Sequence, residues 1–365
     1  MLKSEMKTKV ELIREYLNQF YRPEEWPTLL WQAEEWSRTQ PLAGLRILDG
    51  TPMYRNTLGK YMALLAAGAE LWVPSRPAMP CDKAIFPLLE GFGIRQAPRG
   101  MDDFDIILDC SGQFRELHPR LGFAELTRTG AHRFEHTHYP VILADSGRIK
   151  RIETVLGTGE GFFRAMQQLG YTEMAGKELL IIGYGKVGRG VLHYALKHGM
   201  KPTVADVADV RDALPAQVPF VDANNGEALS KAIQNSWCTV TVTGHMAALR
   251  HVPHQADIAA SEVLLANLGV EDEFGPHIPE TRVLNRKHPL NFLLDEPTSM
   301  RFMETTMALH NACALELLTP DLPHRCMPPA PDVEERLLHI ACTRGLIGHD
   351  VKQLRAEENA NRADA

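Results

Sequence analysis

The sequence predicts an α/β protein of two doubly wound domains, one inserted in the other. Three observations predict it. Short apolar runs that end in acids or glycines alternate with segments of helical period, the pattern of parallel strands covered by helices. The alternation comes in two sets, one before about residue 150 and one running on to about Leu294. At 365 residues the chain is long for one core and fits two domains.

The elements follow in order. Val10, Leu12, Ile13, Tyr16, Leu17 and Phe20 recur at helical spacing within residues 3–21, as in an amphipathic packing helix. A second helix is expected over 27–37, with Trp31 and Trp36 read as core. Residues 45–48 form a strand signal, followed by a turn at Asp49-Gly50 and a helix over 58–67. Residues 68–73 are the next strand. A short helix over 82–89 is expected to be kinked or cut short by Pro87. Residues 104–109 form a strand that ends in an acid, and 157–169 reads as a helix. Residues 177–182 form a buried strand by their apolar run. A long helix is expected over 300–318, and the charged, Ala-rich segment 355–365 is expected to fray. The expected division is a flavodoxin-like substrate domain, 1–153 plus 295–365, and a nucleotide-binding domain, 154–294.

Composition narrows the function classes. With 44% hydrophobic and 23% charged residues, the chain reads as an ordinary soluble globular protein. A net charge of -7 argues against nucleic acid or an anionic membrane as the main partner. The six cysteines, Cys81, Cys110, Cys238, Cys313, Cys326 and Cys342, are scattered without a CxxC pair. Neither a disulfide framework nor a cysteine zinc site is expected, and the cytoplasmic compartment is. The start, Met-Leu-Lys-Ser-Glu, lacks an apolar signal core, and no apolar run reaches the roughly 18–20 residues that span a bilayer.

The strongest motif is Leu179-Leu180-Ile181-Ile182-Gly183-Tyr184-Gly185-Lys186-Val187-Gly188-Arg189-Gly190. It reads as strand, GxGxxG, then helix. Gly183 makes the tight turn, Gly185 lets a pyrophosphate approach the backbone, and Gly188 lets helix pack on strand. The helix start offers free N–H groups and a positive dipole end. The next strand, from Pro202, ends in Asp206. A carboxylate there accepts the ribose hydroxyls and repels a 2′-phosphate, so a Rossmann domain binding NAD rather than NADP is expected.

With these residues in view, the chain resembles the S-adenosylhomocysteine hydrolase (adenosylhomocysteinase) family over about residues 36–320. The family's cofactor loop is similar to Gly183–Gly190, with Lys186 here in place of its acid. Gln40-Pro41-Leu42-Ala43-Gly44-Leu45-Arg46-Ile47 resembles the family's entry into its first strand, and Gly68-Ala69-Glu70 matches too. Thr241-Val242-Thr243-Gly244 resembles its nicotinamide-side loop, and Asn267-Leu268-Gly269 its Asn-Ile-Gly. Asn291 falls where the family has an Asn at the nicotinamide end. The resemblance implies a tightly held NAD contacted by Tyr184, Lys186, Val187, Thr243, Gly244, Asn267 and Asn291 with the three glycines and Asp206.

The departures bear on chemistry. Pro52-Met53-Tyr54 stands where the family has His-Met-Thr, and Asp109-Cys110-Ser111-Gly112-Gln113 where it has Asp-Asp-Gly-Gly-Asp. Ala144-Asp145-Ser146-Gly147-Arg148-Ile149 replaces Asn-Asp-Ser-Val-Thr-Lys, so the family's lysine is lost or slips to Lys150. Glu153-Thr154 replaces its Asp-Asn, Pro297–Arg301 replaces Gly-His-Pro-Ser-Phe, and the family's C-terminal arm is absent. Fold and cofactor carry over by resemblance; the hydrolase reaction does not.

The remaining candidates are read in pairs of alternatives. Asp109, at a strand's carboxyl end, is a catalytic carboxylate or a loop cap. Glu135 resembles the family's acid before its threonine run. Lys150 and Glu153, just before the cofactor domain, are catalytic or, for Lys150, solvated in a basic stretch. His245 is an acid/base group beside the nicotinamide or a loop histidine. His136 and His138 would share one face of a strand and contact substrate. With His132 and Glu135 they match no standard ligand spacing, so no metal site is expected. Arg301 clamps a substrate carboxylate or lies in a helix start. His310 and Asn311 read as packing. The leading expectation is an NAD-dependent oxidoreductase acting on a small polar metabolite, with a site in the interdomain cleft and a homodimer or higher homo-oligomer as its state. The alternatives are a thioether hydrolase or lyase with resident NAD, and a non-catalytic NAD-binding regulator.

Overall fold

The computed structural model describes residues 7–145 and 147–354. The expected frayed segment 355–365 lies outside the described residues. The chain divides into two compact units, one built from the stretch up to Lys150 joined by Ser299–Val351, the other from Arg151–Thr298.

The first unit opens with α1 (Lys9–Leu17), whose Thr8 and Glu11 form a reciprocal capping box. Proline at the first turn of α2 (Pro27–Thr39) costs no hydrogen bond there. Then come β1 (Arg46–Asp49), α3 (Thr57–Ala66) and β2 (Glu70–Pro74). In α4 (Phe86–Leu89), Pro87 sits in the first turn, so it starts the helix rather than ending it. β3 (Arg95–Ala97), β4 (Ile106–Asp109), β5 (Gly122–Glu125), α5 (Arg128–Arg133) and β6 (Val141–Leu143) complete this stretch. α6 (Arg148–Arg151) runs into a π-helical turn over Ile152–Gly157 and then α7 (Thr158–Gln168).

The second unit continues with β7 (Glu178–Ile182), α8 (Lys186–Lys197), β8 (Lys201–Asp206), β9 (Phe220–Asp222), α9 (Gly226–Gln234), β10 (Cys238–Thr241), α10 (Gln255–Ala260) and β11 (Leu264–Asn267). After β11 the chain makes only short 3-10 turns to Leu293. It then supplies α11 (Met300–Glu316), β12 (Cys326–Met327) and α12 (Pro331–Arg344) to the first unit.

Both sheets are parallel throughout, and their central strands β1, β4, β5, β7 and β10 are largely buried, as strands covered on both faces must be. The second sheet has the order β11-β10-β7-β8-β9, the Rossmann order with its reversal between β7 and β10. The first has the order β12-β6-β5-β4-β1-β2-β3. The flavodoxin-like expectation for this unit is thereby corrected. In a flavodoxin-like sheet the third strand returns beside the first; here β3 continues outward beyond β2, and the reversal falls between β1 and β4. Each sheet has its own core, with Leu180, Leu229, Leu265 and Phe274 in the second unit and Ile107, Phe123, Phe134 and Val141 in the first. No helix among the described residues is long and apolar enough to cross a membrane.

Candidate functional site

Ligands of open α/β sheets gather at the carboxyl edge where strand order reverses. In the second unit that point lies between β7 and β10. After Ile182 the chain turns at Gly183, φ 104°, a backbone conformation that L side chains rarely adopt. A Cβ there would also lie 2.8 Å from the Val242 carbonyl oxygen, so the phosphate loop and the loop after β10 touch. α8 begins at Lys186 with Gly185 as its N-cap and no capping side chain. Its first-turn amides have no carbonyl within the helix to meet. Gly185 is exposed, and nothing lies within 4 Å of where its Cβ would be. Gly188 packs on the Gly183 carbonyl so closely that no side chain fits. Lys186 is exposed and Val187 half-buried at the helix start.

Asp206 closes β8 beside this loop. Its Oδ2 accepts the Tyr184 N–H at 2.6 Å and its Oδ1 the Ala208 N–H at 2.9 Å. The carboxylate therefore braces the phosphate loop while each oxygen keeps a further lone pair. The Tyr184 ring is buried, its hydroxyl donates to the Ala213 carbonyl at 3.2 Å, and the Arg189 guanidinium stands 4.6 Å from its centroid.

On the β10 side, the Thr243 and Gly244 amides both donate to the buried Glu273 carboxylate, at 2.8 and 2.7 Å. Burial raises this carboxyl's pKa. His245 is exposed on the same loop, its own N–H donating to Thr243 Oγ1 at 3.1 Å. Asn267 makes internal hydrogen bonds at the end of β11. It is fully buried, and its amide donates to the Gly269, Glu271 and Lys287 carbonyls at 3.1, 2.8 and 2.6 Å, stapling the loop after β11. Its Oδ1 accepts from Thr241 Oγ1 and the Gly269 N–H. Asn291 is buried, with Nδ2 3.5 Å from the Pro297 carbonyl.

The first unit's carboxyl edge is acidic. β1, β4 and β5 end in Asp49, Asp109 and Glu125, and Asp145 follows β6, all four buried. Asp109 accepts the amides of Cys110, Gln113 and Phe114 at 2.7, 3.1 and 3.0 Å. Glu125 accepts those of Ser111, Gly112 and Thr127 at 3.0, 3.0 and 2.7 Å, and the Thr127 hydroxyl at 2.7 Å. Every amide from Cys110 to Phe114 thus donates into one of two internal carboxylates, the arrangement a nest would otherwise offer to an external anion. Burial, then the Glu125 charge, pushes the Asp109 carboxyl up to about 7. Of the two readings of Asp109, these bonds display the loop anchor. The switch point itself is filled, because Gln113 Nε2 donates to the Gly50 and Cys110 carbonyls at 2.7 and 3.1 Å.

Lys150 is buried rather than solvated, within electrostatic reach of Cys110 and His310. The helix that carries it is anchored from α12, where Glu334 Oε1 accepts the Ile149 N–H at 2.9 Å. Glu153 lies half-buried in the π-helical turn. Glu135 is exposed and paired with His132 at 2.9 Å, away from any strand end. The acid at a strand end ahead of a threonine is Glu125, with Thr127, which corrects the Glu135 expectation. His136 and His138 are exposed in an irregular turn, so the shared strand face does not form. Among the described residues no three His, Cys, Asp or Glu groups converge as a metal site requires. Arg301 lies in the first turn of α11, its guanidinium 4.5 Å from the Phe302 ring centroid. His310 and Asn311 are fully buried packing groups, His310 Nε2 lying 3.0 Å from the Ala124 carbonyl oxygen.

Sequence reasoning misses Glu125, Glu273 and the buried Lys60–Asp49 ion pair. The one available signal is Glu125 itself, an acid closing a short apolar run.

Fold and site together define a Rossmann-type α/β protein of two parallel doubly wound units. No family model matches the chain. It is 29% identical over 279 residues to the adenosylhomocysteinase of Sulfurisphaera tokodaii, spanning 67% of this chain and 64% of that protein. It is 27% identical over 178 residues to an S-inosyl-L-homocysteine hydrolase of Methanopyrus kandleri, spanning 46% of this chain and 40% of that protein. The matched stretch thus covers about half the length of these curated relatives. Among solved structures, a dipicolinate synthase chain of Bacillus halodurans is 12% identical with a TM-score of 0.48, covering 76% of this chain and 99% of that one. Within the Rossmann-type class, the chain is similar to adenosylhomocysteinases, at 27–29% identity over part of their length.

Proposed function

We propose that the protein is an NAD-dependent oxidoreductase acting on a small polar metabolite. The observation that carries this reading is the uncapped start of α8 at the open Gly185, set beside Asp206. These residues fit a dinucleotide. The α8 amides and dipole suit a diphosphate, Gly185 lets it approach, and the remaining Asp206 lone pairs suit ribose hydroxyls. Bound NAD supplies a hydride acceptor. A nicotinamide lying on the β10 side of the sheet would have Thr243, Gly244 and His245 to hold it. His245, exposed on that loop, would take or return the proton of the substrate oxygen. The internal engagement of Asp109 and Glu125 counts against the thioether reaction, which needs a free carboxylate at the substrate.

The test uses NAD-loaded protein and a panel of small alcohols, hydroxy acids and nucleosides, followed by the absorbance of reduced nicotinamide. Reduction by at least one is expected, with His245→Ala slowing it about a hundredfold or more. Bound NAD that stays oxidised across the panel overturns the redox reading.

A further inference from the structure

The loop after β10 lacks backbone partners of its own kind at its key amides. Thr243 and Gly244 direct their N–H groups at one carboxylate, Glu273, at 2.8 and 2.7 Å. Glu273 reaches them from the loop after β11 through space that exists because residue 269 is glycine. A Cβ on Gly269 would collide with the Glu273 carboxyl group. The carboxylate is fully buried, and the atoms acting on it are those of Thr241, Thr243 and Gly244. The charged groups nearby are otherwise engaged. Asp272, its neighbour, pairs with Lys287 at 2.8 Å, and Lys287 also donates to the Gly275 carbonyl. Glu271 lies on the same loop, and His245 and Arg250 are exposed on the segment it holds.

We infer that Glu273 is a positioning residue for the nicotinamide half of the dinucleotide, acting by holding Thr243 and Gly244 in place. This rests on the dinucleotide reading and adds a residue that neither the glycine motif nor the acid after β8 includes. A charged acceptor buried with two amides is worth more than a surface contact, and its loss leaves both amides without a partner. Asp206 closes β8, across β7 from β10, and its two amide partners come from Tyr184 and Ala208 rather than from the loop that Glu273 holds. The consequence is selective. Adenine-half binding is indifferent to Glu273, whereas binding of the whole dinucleotide depends on it.

The experiment is calorimetric titration of the full-length protein with AMP and with NAD, for the wild type, Glu273→Gln and Gly269→Ala. The second variant displaces the carboxylate without removing it, so it serves if Glu273→Gln folds poorly, and thermal melting checks the fold of both. Expected is unchanged AMP affinity with NAD weakened about tenfold in each variant. A second readout is the pH profile: in the wild type the NAD advantage over AMP shrinks as acid protonates Glu273, and in Glu273→Gln the ratio is flat. Equal loss of AMP and NAD binding, or unchanged NAD binding in folded variants, overturns the proposal alone. A wild type that binds neither nucleotide overturns the dinucleotide reading and the proposal with it.

Discussion

Asp206 already holds two amides, at Tyr184 and Ala208, yet each oxygen keeps a lone pair for a ribose hydroxyl. A 2′-phosphate would bring like charge against it. Asp206→Ala is predicted to weaken NAD about tenfold and to bring NADP to comparable affinity, read by parallel titration. Unchanged NAD preference in that variant would remove Asp206 from the site. This residue and the three glycines are legible in the sequence because strand, loop, helix and acid fall within one local unit. Glu273 is not, and Glu125 shows only as an acid closing a short apolar run, because the loop amides that converge on them lie 13 to 14 residues from Glu125 and 29 to 30 from Glu273. Lys60 is illegible for a related reason. A lysine in an apolar helix reads as a solvated charge, and only the fold brings Asp49 to it; burial then lowers its pKa while Asp49 opposes the shift.

At the scale of elements, α2 begins at a tryptophan N-cap that offers no side-chain acceptor. Its first amides are met from another helix. Glu304 on α11 accepts the Thr28 and Leu29 N–H groups at 3.1 and 3.2 Å and the Thr28 hydroxyl. Burial pushes this carboxyl from 4.5 up to about 7. The sign follows from linkage. Between those values the folded state binds the proton more readily than the unfolded chain, so Glu304's contribution is greatest at the acid end and declines as pH rises to about 7. Glu304→Gln keeps an acceptor oxygen without the charge. Urea unfolding from about pH 4.5 to 8 is predicted to show a stability difference, variant minus wild type, that grows with pH; a constant difference would contradict it. Sequence patterning finds the long elements within a few residues, but β5 and β6, at 4 and 3 residues, carry too few positions for a period. Pro87 reads as a breaker in the sequence because its place within the turn is set by the 3-10 segment Lys83–Ile85 that precedes it.

Over the whole molecule, the α/β class is legible because alternation of strand and helix is a local property. The strand order of the first sheet is not, because whether β3 pairs beside β1 or beyond β2 is decided by tertiary packing. The two units share a topology and differ at their switch points. In the first, Gln113 fills the point and the loop amides end on Asp109 and Glu125. In the second, the α8 start carries no capping side chain beside an open glycine. That asymmetry is the basis for assigning the dinucleotide to the second unit. The direct test is denaturing extraction of the purified protein, with released nucleotide identified by mass spectrometry, followed by NAD titration of whatever protein is empty. Released NAD, or empty protein that takes up NAD, is the predicted result. Empty protein that takes up none would contradict the account.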